Sequence, residues 1–408
     1  MNVCLVAKEY PPETAHGGIG TQTWNKAQAL ANLGHAVFVV SGIAGDVEGP
    51  VRRVGAGVVV DRIGVPGAHE PVQTPAGFDV GYSWAVRTHL RKLLREVELD
   101  VIDFPEYGGE GFAFQIDSTP WNRVPVVVQL HGPLAMFTER IGWPERDSAE
   151  FEVGDFLEGA SIRRADRLMA CSSNIADFTS ARYAVPRESI DVVHCGVDAQ
   201  AFTPPAAPRD DARPTVLFVG NLAVNKGLRT VVEAVARLRS SYPDIVLRVL
   251  GKGDDVDDVL SHARRAGAGD AVELVGFVED RARLPEFYGG ADVFCSPAQH
   301  EVGVANVYIE AMACACPVVA ADTGGAPEAV VDGETGLLVP PGDAEATAAA
   351  LDRILGNRAL ARTFGEAGRR RVDDYFSMDR YIERVSSSYE LAIERVRTAL
   401  GADVSVGL

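Results

Sequence analysis

The chain lacks any apolar run approaching the roughly 20 residues that cross a bilayer as a helix. Its start, Met1 to Lys8, has neither a basic n-region nor a long apolar stretch, and reads as a first strand rather than a signal peptide. It also lacks a basic excess: 39 Lys and Arg stand against 57 Asp and Glu, a formal charge of −18. Nucleic acid demands a basic surface to neutralise its phosphates, so it is excluded as a partner. Anionic lipid is disfavoured on the same ground, and membrane association is not expected. A phosphate-bearing ligand must therefore be met locally, by a few cations and helix N-termini. Cysteine is sparse. The six (Cys4, Cys171, Cys195, Cys295, Cys314, Cys316) mostly sit in apolar strand-like or helix-end settings, and Cys314-Ala315-Cys316 is too tight for the usual zinc hooks. The expectation is reduced thiols in a cytoplasmic protein, with neither a disulfide framework nor a metal cluster.

What is present is ordinary globular composition, 47 % apolar and 24 % charged. At 408 residues it fits two domains of about 200 residues each. Apolar β-branched runs alternate with helical patterns throughout. Val3–Ala7 leads through a loop containing His16, Gly17 and Gly18 into a helix beginning near Thr21. Strand, Gly-rich loop, helix is the arrangement in which backbone N–H groups meet an anion, although a lone Gly-Gly is more often a plain turn and the full G-x-G-x-x-G is missing. Val37–Val40 and Val58–Val60 are strands, and Ser83–Val97 is a helix. On that helix Arg87, Arg91 and Arg95 repeat every four residues, a row that could meet an acidic acceptor or a membrane surface but reads first as a solvated face.

Val101–Phe104 ends in Glu106, Tyr107 and three glycines, a plausible binding loop at a strand's C-terminal end. Val124–Gln129 closes on His131-Gly132-Pro133, where the His is either structural or points into a cleft. Proline and charge without periodicity from Phe202 to Asp211 mark a linker. The pattern then restarts with Thr215–Val219, the loop Gly220 to Gly227, Ile245–Leu250, Val272–Val275 and Val293–Ser296. The boundaries this suggests are 1–205, completed by a C-terminal helix over about 375–408, and 206–374. Each half reads as a doubly wound parallel sheet, with ligands at the strands' carboxyl ends in a cleft between the halves.

The densest stretch runs from Pro297 to Gly325. Glu301 and Glu310 flank a small-residue segment with Gly303, Val304 and Ala305, followed by a buried helix, the strand-like Pro317–Ala320 and the turn Gly324-Gly325. Read alone, it is as well explained by a surface loop feeding a core helix.

Taken together these residues resemble the retaining glycosyltransferases of family 4, with the GT-B fold of two Rossmann-like domains facing a central cleft. The resemblance is carried by Gly17-Gly18, His131-Gly132, Ala165-Asp166 to Cys171-Ser172, Gly196-Val197-Asp198 and Gly220 to Lys226-Gly227. It continues through the two-glutamate segment, Gly324-Gly325 with Glu328, and Asp332-Gly333 to Val339. It implies transfer from a nucleotide-diphosphate sugar, a UDP- or GDP-sugar, with retention of configuration; no metal-ligand cluster is apparent in the sequence, so a reaction without metal or cofactor is expected. By resemblance Lys226 meets the donor diphosphate, and Glu310 binds the ribose hydroxyls. The Gly303, Val304, Ala305 backbone touches sugar and phosphate, Gly17 and Gly18 close over the diphosphate, and Gly276 and Val278 read the base. His131 stands near the anomeric centre. His16, Glu106 and Tyr107 fall on the acceptor side, and the acidic charge leans toward a small soluble acceptor, with the protein a monomer or homodimer. A lipid-linked or polysaccharide acceptor, a sugar-nucleotide epimerase or phosphorylase, and a non-catalytic binder are the alternatives.

Two departures from the family pattern stand out. Eight residues rather than seven separate Glu301 from Glu310, so the expected position holds Val302. Either the loop bulges and Glu301 still reaches the sugar, or the contact is lost. The Arg that usually follows the Gly of the first loop is Asn221, which can donate hydrogen bonds but brings no charge.

Overall fold

A computed structural model describes the chain except residues 13, 15–17, 44–49, 65–74, 120–122, 206–212, 254–255 and 407–408, and the side chains of 75–79 and 402–406. His16 and Gly17 therefore lie outside the described residues, as do residues 206–211 of the proline-rich segment. The chain divides into two compact units, Met1–His194 with Tyr381–Leu408, and Cys195–Arg380.

The first unit is built on eight strands: β1 (Asn2–Ala7), β2 (Ala36–Gly42), β3 (Val51–Gly55), β4 (Val58–Ile63), β5 (Val101–Pro105), β6 (Val126–Leu130), β7 (Arg167–Ala170) and β8 (Ile190–Val192). Their order is β3-β4-β2-β1-β5-β6-β7-β8. Continuous β-branched runs such as Val126–Leu130 are buried at every position, as expected of strands covered on both faces. All neighbours are parallel except β3 and β4, which form an antiparallel edge hairpin, so this sheet is not purely parallel. Ala56 and Gly57 both take positive φ in its two-residue turn, the twist such hairpins require. Strand β3 is absent from the sequence reading because only Val51 and Val54 are apolar. Arg52 earns its place there by a two-pronged bond to Asp61 on β4 at 2.7 and 2.8 Å.

The direction of strand progression reverses between β1 and β5, so the loops after these strands flank a crevice at the sheet's carboxyl edge. The helix after β1 starts at Gly18, three residues earlier than the spacing predicts. The helix Met378–Val406 belongs to this unit from Tyr381 onward. Tyr381, Val385 and Tyr389 are fully buried, and Tyr389 donates to Asp103 at 2.5 Å.

The second unit carries β9 (Thr215–Val219), β10 (Val246–Leu250), β11 (Val272–Gly276), β12 (Val293–Ser296), β13 (Val318–Ala321) and β14 (Gly336–Val339). These are wholly parallel in the order β11-β10-β9-β12-β13-β14. Here the reversal falls between β9 and β12, so the loop holding Lys226 and the loop holding Glu301 lie side by side. Among the described residues no helix is long and apolar enough to cross a membrane. All six cysteines are buried and none is in a disulfide.

Candidate active site

In the second unit three loops converge at the sheet's carboxyl edge. The loop after β9 ends in a single 3-10 turn, Val224–Lys226, and Gly227 at φ 80° starts the helix Leu228–Leu238. A Cβ on Gly227 would sit 2.2 Å from the Pro297 carbonyl oxygen, so only glycine lets this loop approach the one after β12. Gln299 N–H donates to the Asn225 carbonyl at 2.9 Å and staples the two. The turn after β13 closes the third side. Gly325 N–H donates to the Glu301 carbonyl at 2.8 Å, and a Cβ on Gly324 would fall 1.6 Å from that same oxygen. The double glycine is thus dictated by contact with the glutamate loop.

The consequence is a juxtaposition distant in sequence. Lys226 Nζ lies 3.2 Å from both carboxylate oxygens of Glu301, with the Lys side chain one-third exposed and the Glu nearly buried. Glu301 thus meets the lysine although eight residues separate it from Glu310, and Val302 beside it is buried, 8 % exposed. Val304 is also buried, while Gly303 and Ala305 are partly open ahead of the helix Asn306–Ala313, which has no side-chain N-cap. Its first amides are left for an incoming acceptor oxygen.

Glu310, on that helix, is buried and held at both oxygens: Arg281 donates to Oε1 at 2.6 Å and Tyr288 to Oε2 at 2.8 Å. Burial and the Glu310 charge raise the Tyr288 pKa well above the usual phenol value, so Tyr288 stays a donor. A carboxylate offers about four acceptor sites, so two remain for hydroxyl donors. Asn221 is exposed, its Oδ1 close over Gly253 on the neighbouring loop. Gly276, at φ 83°, accepts from Gly251 N–H at 2.9 Å, and Val278 is half-buried just beyond it. Arg281 and Tyr288 were not singled out by the sequence. The four-residue spacing of the buried Leu284 and Tyr288 is the signal that points Tyr288 inward.

In the first unit His131 follows β6 and lines a small cavity with Thr23, Lys26, Asp103, Pro105 and Gln129. Burial, and then the Lys26 ammonium, push its pKa down to about 3, so the imidazole is neutral at physiological pH. Lys26 is itself buried, bonded to Asp103 at 2.6 Å and to Gln129 at 3.2 Å. Its spacing with Thr23, Ala27 and Leu30 placed it on the inner helix face, where a lysine is easily passed over.

The acceptor-side residues need correction. Glu106 is fully buried, and its Oε1 accepts from the N–H groups of His131 at 2.5 Å and Gly132 at 2.6 Å, so its carboxylate faces the loop and not an acceptor. Tyr107 packs in part against Leu134, Ala135 and Phe151. The glycines beside it serve close packing: a Cβ on Gly109 would lie 2.5 Å from Leu157, and one on Gly111 2.8 Å from Phe104. Arg87 and Arg91 are partly exposed and both bond the Asp117 carboxylate, at 2.8 to 3.1 Å, while Arg95 is exposed. Gly18 is exposed at the first residue of its helix. Among the described residues no group of three or more His, Cys, Asp or Glu is placed to hold a metal ion.

Two family models match the chain in succession, Glycosyltransferase Family 4 over residues 16–201 and Glycosyl transferases group 1 over residues 200–371. A glycogen synthase of Mycobacterium tuberculosis is 28 % identical over 389 residues, covering 92 % of this chain and 91 % of that protein. An alpha-maltose-1-phosphate synthase of Mycolicibacterium smegmatis is 29 % identical over 415 residues, covering 95 % and 99 %. Among solved structures, the sucrose-phosphate synthase of Thermosynechococcus elongatus superposes with a TM-score of 0.78 at 25 % identity, covering 95 % of this chain and 98 % of the other.

Proposed function

The chain belongs to the family 4 glycosyltransferases of GT-B fold, and from that premise we propose that it moves a glycosyl group from a UDP- or GDP-sugar to a small soluble acceptor with retention of configuration and without a metal. The observation that carries this reading is the Lys226–Glu301 pair, set at the reversal point of the second unit's sheet beside an uncapped helix start. A cation there offsets the negative charge that grows on the leaving diphosphate, and the open amides of the helix Asn306–Ala313 add to it. Asn221 contributes hydrogen bonds without charge, so the electrostatic load falls on Lys226.

In this mechanism Glu310 takes the ribose hydroxyls, with Tyr288 and Arg281 fixing its orientation. The base lies along the Gly276–Val278 backbone, and Glu301 holds a sugar hydroxyl once the diphosphate has drawn Lys226 away from it. The leaving phosphate oxygen takes the acceptor's proton on the face from which it departs. Neutral His131 stabilises the oxocarbenium-like transition state through its ring dipole, adding no full positive charge next to a cationic carbon. Two of the three relatives are named for sugar phosphates, which supports a small acceptor. The glycogen synthase favours a glucan as the second reading. Incubating the protein with UDP- and GDP-glucose or -mannose and either sugar phosphates or a maltooligosaccharide, with and without chelator, separates these. Retention appears as an α-linkage by NMR from the α-configured donor. A β-linked product, or activity abolished by chelation and restored by a divalent metal, would overturn the corresponding part of the proposal.

A further inference from the structure

Two buried glutamates in the first unit have no place in the mechanism above. Glu106 follows β5 directly, and Glu158 sits mid-way along the helix Ala149–Arg164; both are 0 % exposed. Glu106 Oε1 accepts from His131 and Gly132 N–H, and Glu158 reaches the same region from the opposite side. Its Oε1 accepts from Gly108 N–H at 3.1 Å and its Oε2 from Leu134 N–H at 2.7 Å. Four backbone amides of two loops are thus held by two side chains, and three of the four belong to the His131–Leu134 segment. No apolar residue could replace them without orphaning those amides.

We propose that Glu106 and Glu158 are positioning residues, which clamp the backbone on both sides of His131 and so set where its imidazole stands relative to the transferred sugar. This rests on His131 acting at the reacting centre. The clamp also senses protons. Burial pushes the Glu106 carboxyl up to about 7, while burial and the Glu106 charge raise Glu158 well above the carboxylate range. The other titratable groups facing the pair are His131, Asp155 on the helix of Glu158, and Tyr183, whose hydroxyl bonds Asp155 at 2.8 Å. Arg182 also bonds Asp155, and Arg163 lies over the Tyr183 ring. As pH falls through the Glu106 range its carboxylate protonates and accepts the two amides more weakly. The imidazole, held near 3, is silent in that interval.

The test is the pH profile of kcat for the full chain with its donor and acceptor, together with NMR of the His131 and Gly132 amides. In the unsubstituted protein kcat should fall on an acid limb near pH 7, and both amide shifts should titrate with it. Glu106→Ala should lower kcat about 10- to 100-fold, the cost of a small misplacement of a reacting group, with donor KM little changed. Glu106→Gln, which keeps an acceptor oxygen but cannot titrate, should recover part of that loss and abolish both the acid limb and the amide titration. Glu158→Gln should leave the limb in place, because Glu158 keeps its proton through the Glu106 range and burial is what raises Glu106. Should Glu106→Gln retain the original limb and amide titration, the inference is overturned. If His131→Ala has full activity, it is the role of His131 that falls, and the amide titration still reports whether the clamp exists.

Discussion

The pairing of Lys226 with Glu301 leads to an asymmetric expectation for two substitutions at one contact. Without ligand, the lysine spends its charge on a carboxylate only 10 % exposed, at 3.2 Å. Partly exposed pairs contribute at most about 1 kcal/mol, so a diphosphate displaces this contact at small cost. Its own charge-assisted hydrogen bond to Lys226 is worth about 1.5–3 kcal/mol. Lys226→Ala should therefore weaken UDP or GDP binding by about 10- to 150-fold, at 1.4 kcal/mol per decade. The upper end is favoured because an unpaired, nearly buried Glu301 would then face the diphosphate. Glu301→Gln frees the lysine, so nucleoside diphosphate affinity should be unchanged or up to about fivefold tighter, while turnover of the sugar donor falls at least about tenfold. Isothermal titration of each variant with UDP and GDP at low and high salt reads the first effect, and initial rates read the second. Equal loss of nucleotide affinity in both variants, or none in Lys226→Ala, would refute this account of the pair.

Three further outcomes follow from other contacts. Tyr288→Phe removes a hydrogen bond to the buried Glu310 carboxylate; donor KM should rise about 10-fold or more, and discrimination between ribose and 2′,3′-dideoxyribose nucleotides should shrink in competition assays. Lys26→Met strands the buried Asp103 and should cost about 3–5 kcal/mol in urea unfolding, whereas Tyr389→Phe should cost about 1.5–3 kcal/mol by detaching the C-terminal helix from the same carboxylate. Because folding raises the Glu106 pKa from its ordinary 4.5 to about 7, the folded state binds the extra proton between those values. Stability should decline by about 3 kcal/mol from this group as pH rises across that window, and Glu106→Gln should remove that part of the slope.

Much of this architecture is legible in the residues. Val3–Ala7, Val126–Leu130 and Thr215–Val219 are apolar, β-branched and bounded by glycine or turn residues, and nothing competes with the strand reading. The edge strand Val51–Gly55 escapes because three of its five residues are arginine or glycine, stabilised by a partner on the next strand. Lys26 and Glu158 fall at helical spacing with buried neighbours, but a polar side chain is assigned to solvent until its tertiary partner is known. Asp117, which claims Arg87 and Arg91, lies 30 and 26 residues beyond them. Glu301 is the instructive case. Its spacing from Glu310 is irregular, and it is the tertiary contact with Lys226, 75 residues away in sequence, that brings it into the site.

The most direct measurement is release of nucleoside diphosphate from UDP- and GDP-sugars by the full chain, followed with and without acceptor beside Lys226→Ala and Glu310→Ala. Acceptor-stimulated release from one donor base, lost in both variants, is the predicted result. Undiminished release in either variant, or no turnover or binding of any nucleotide sugar by the unsubstituted protein, would contradict it.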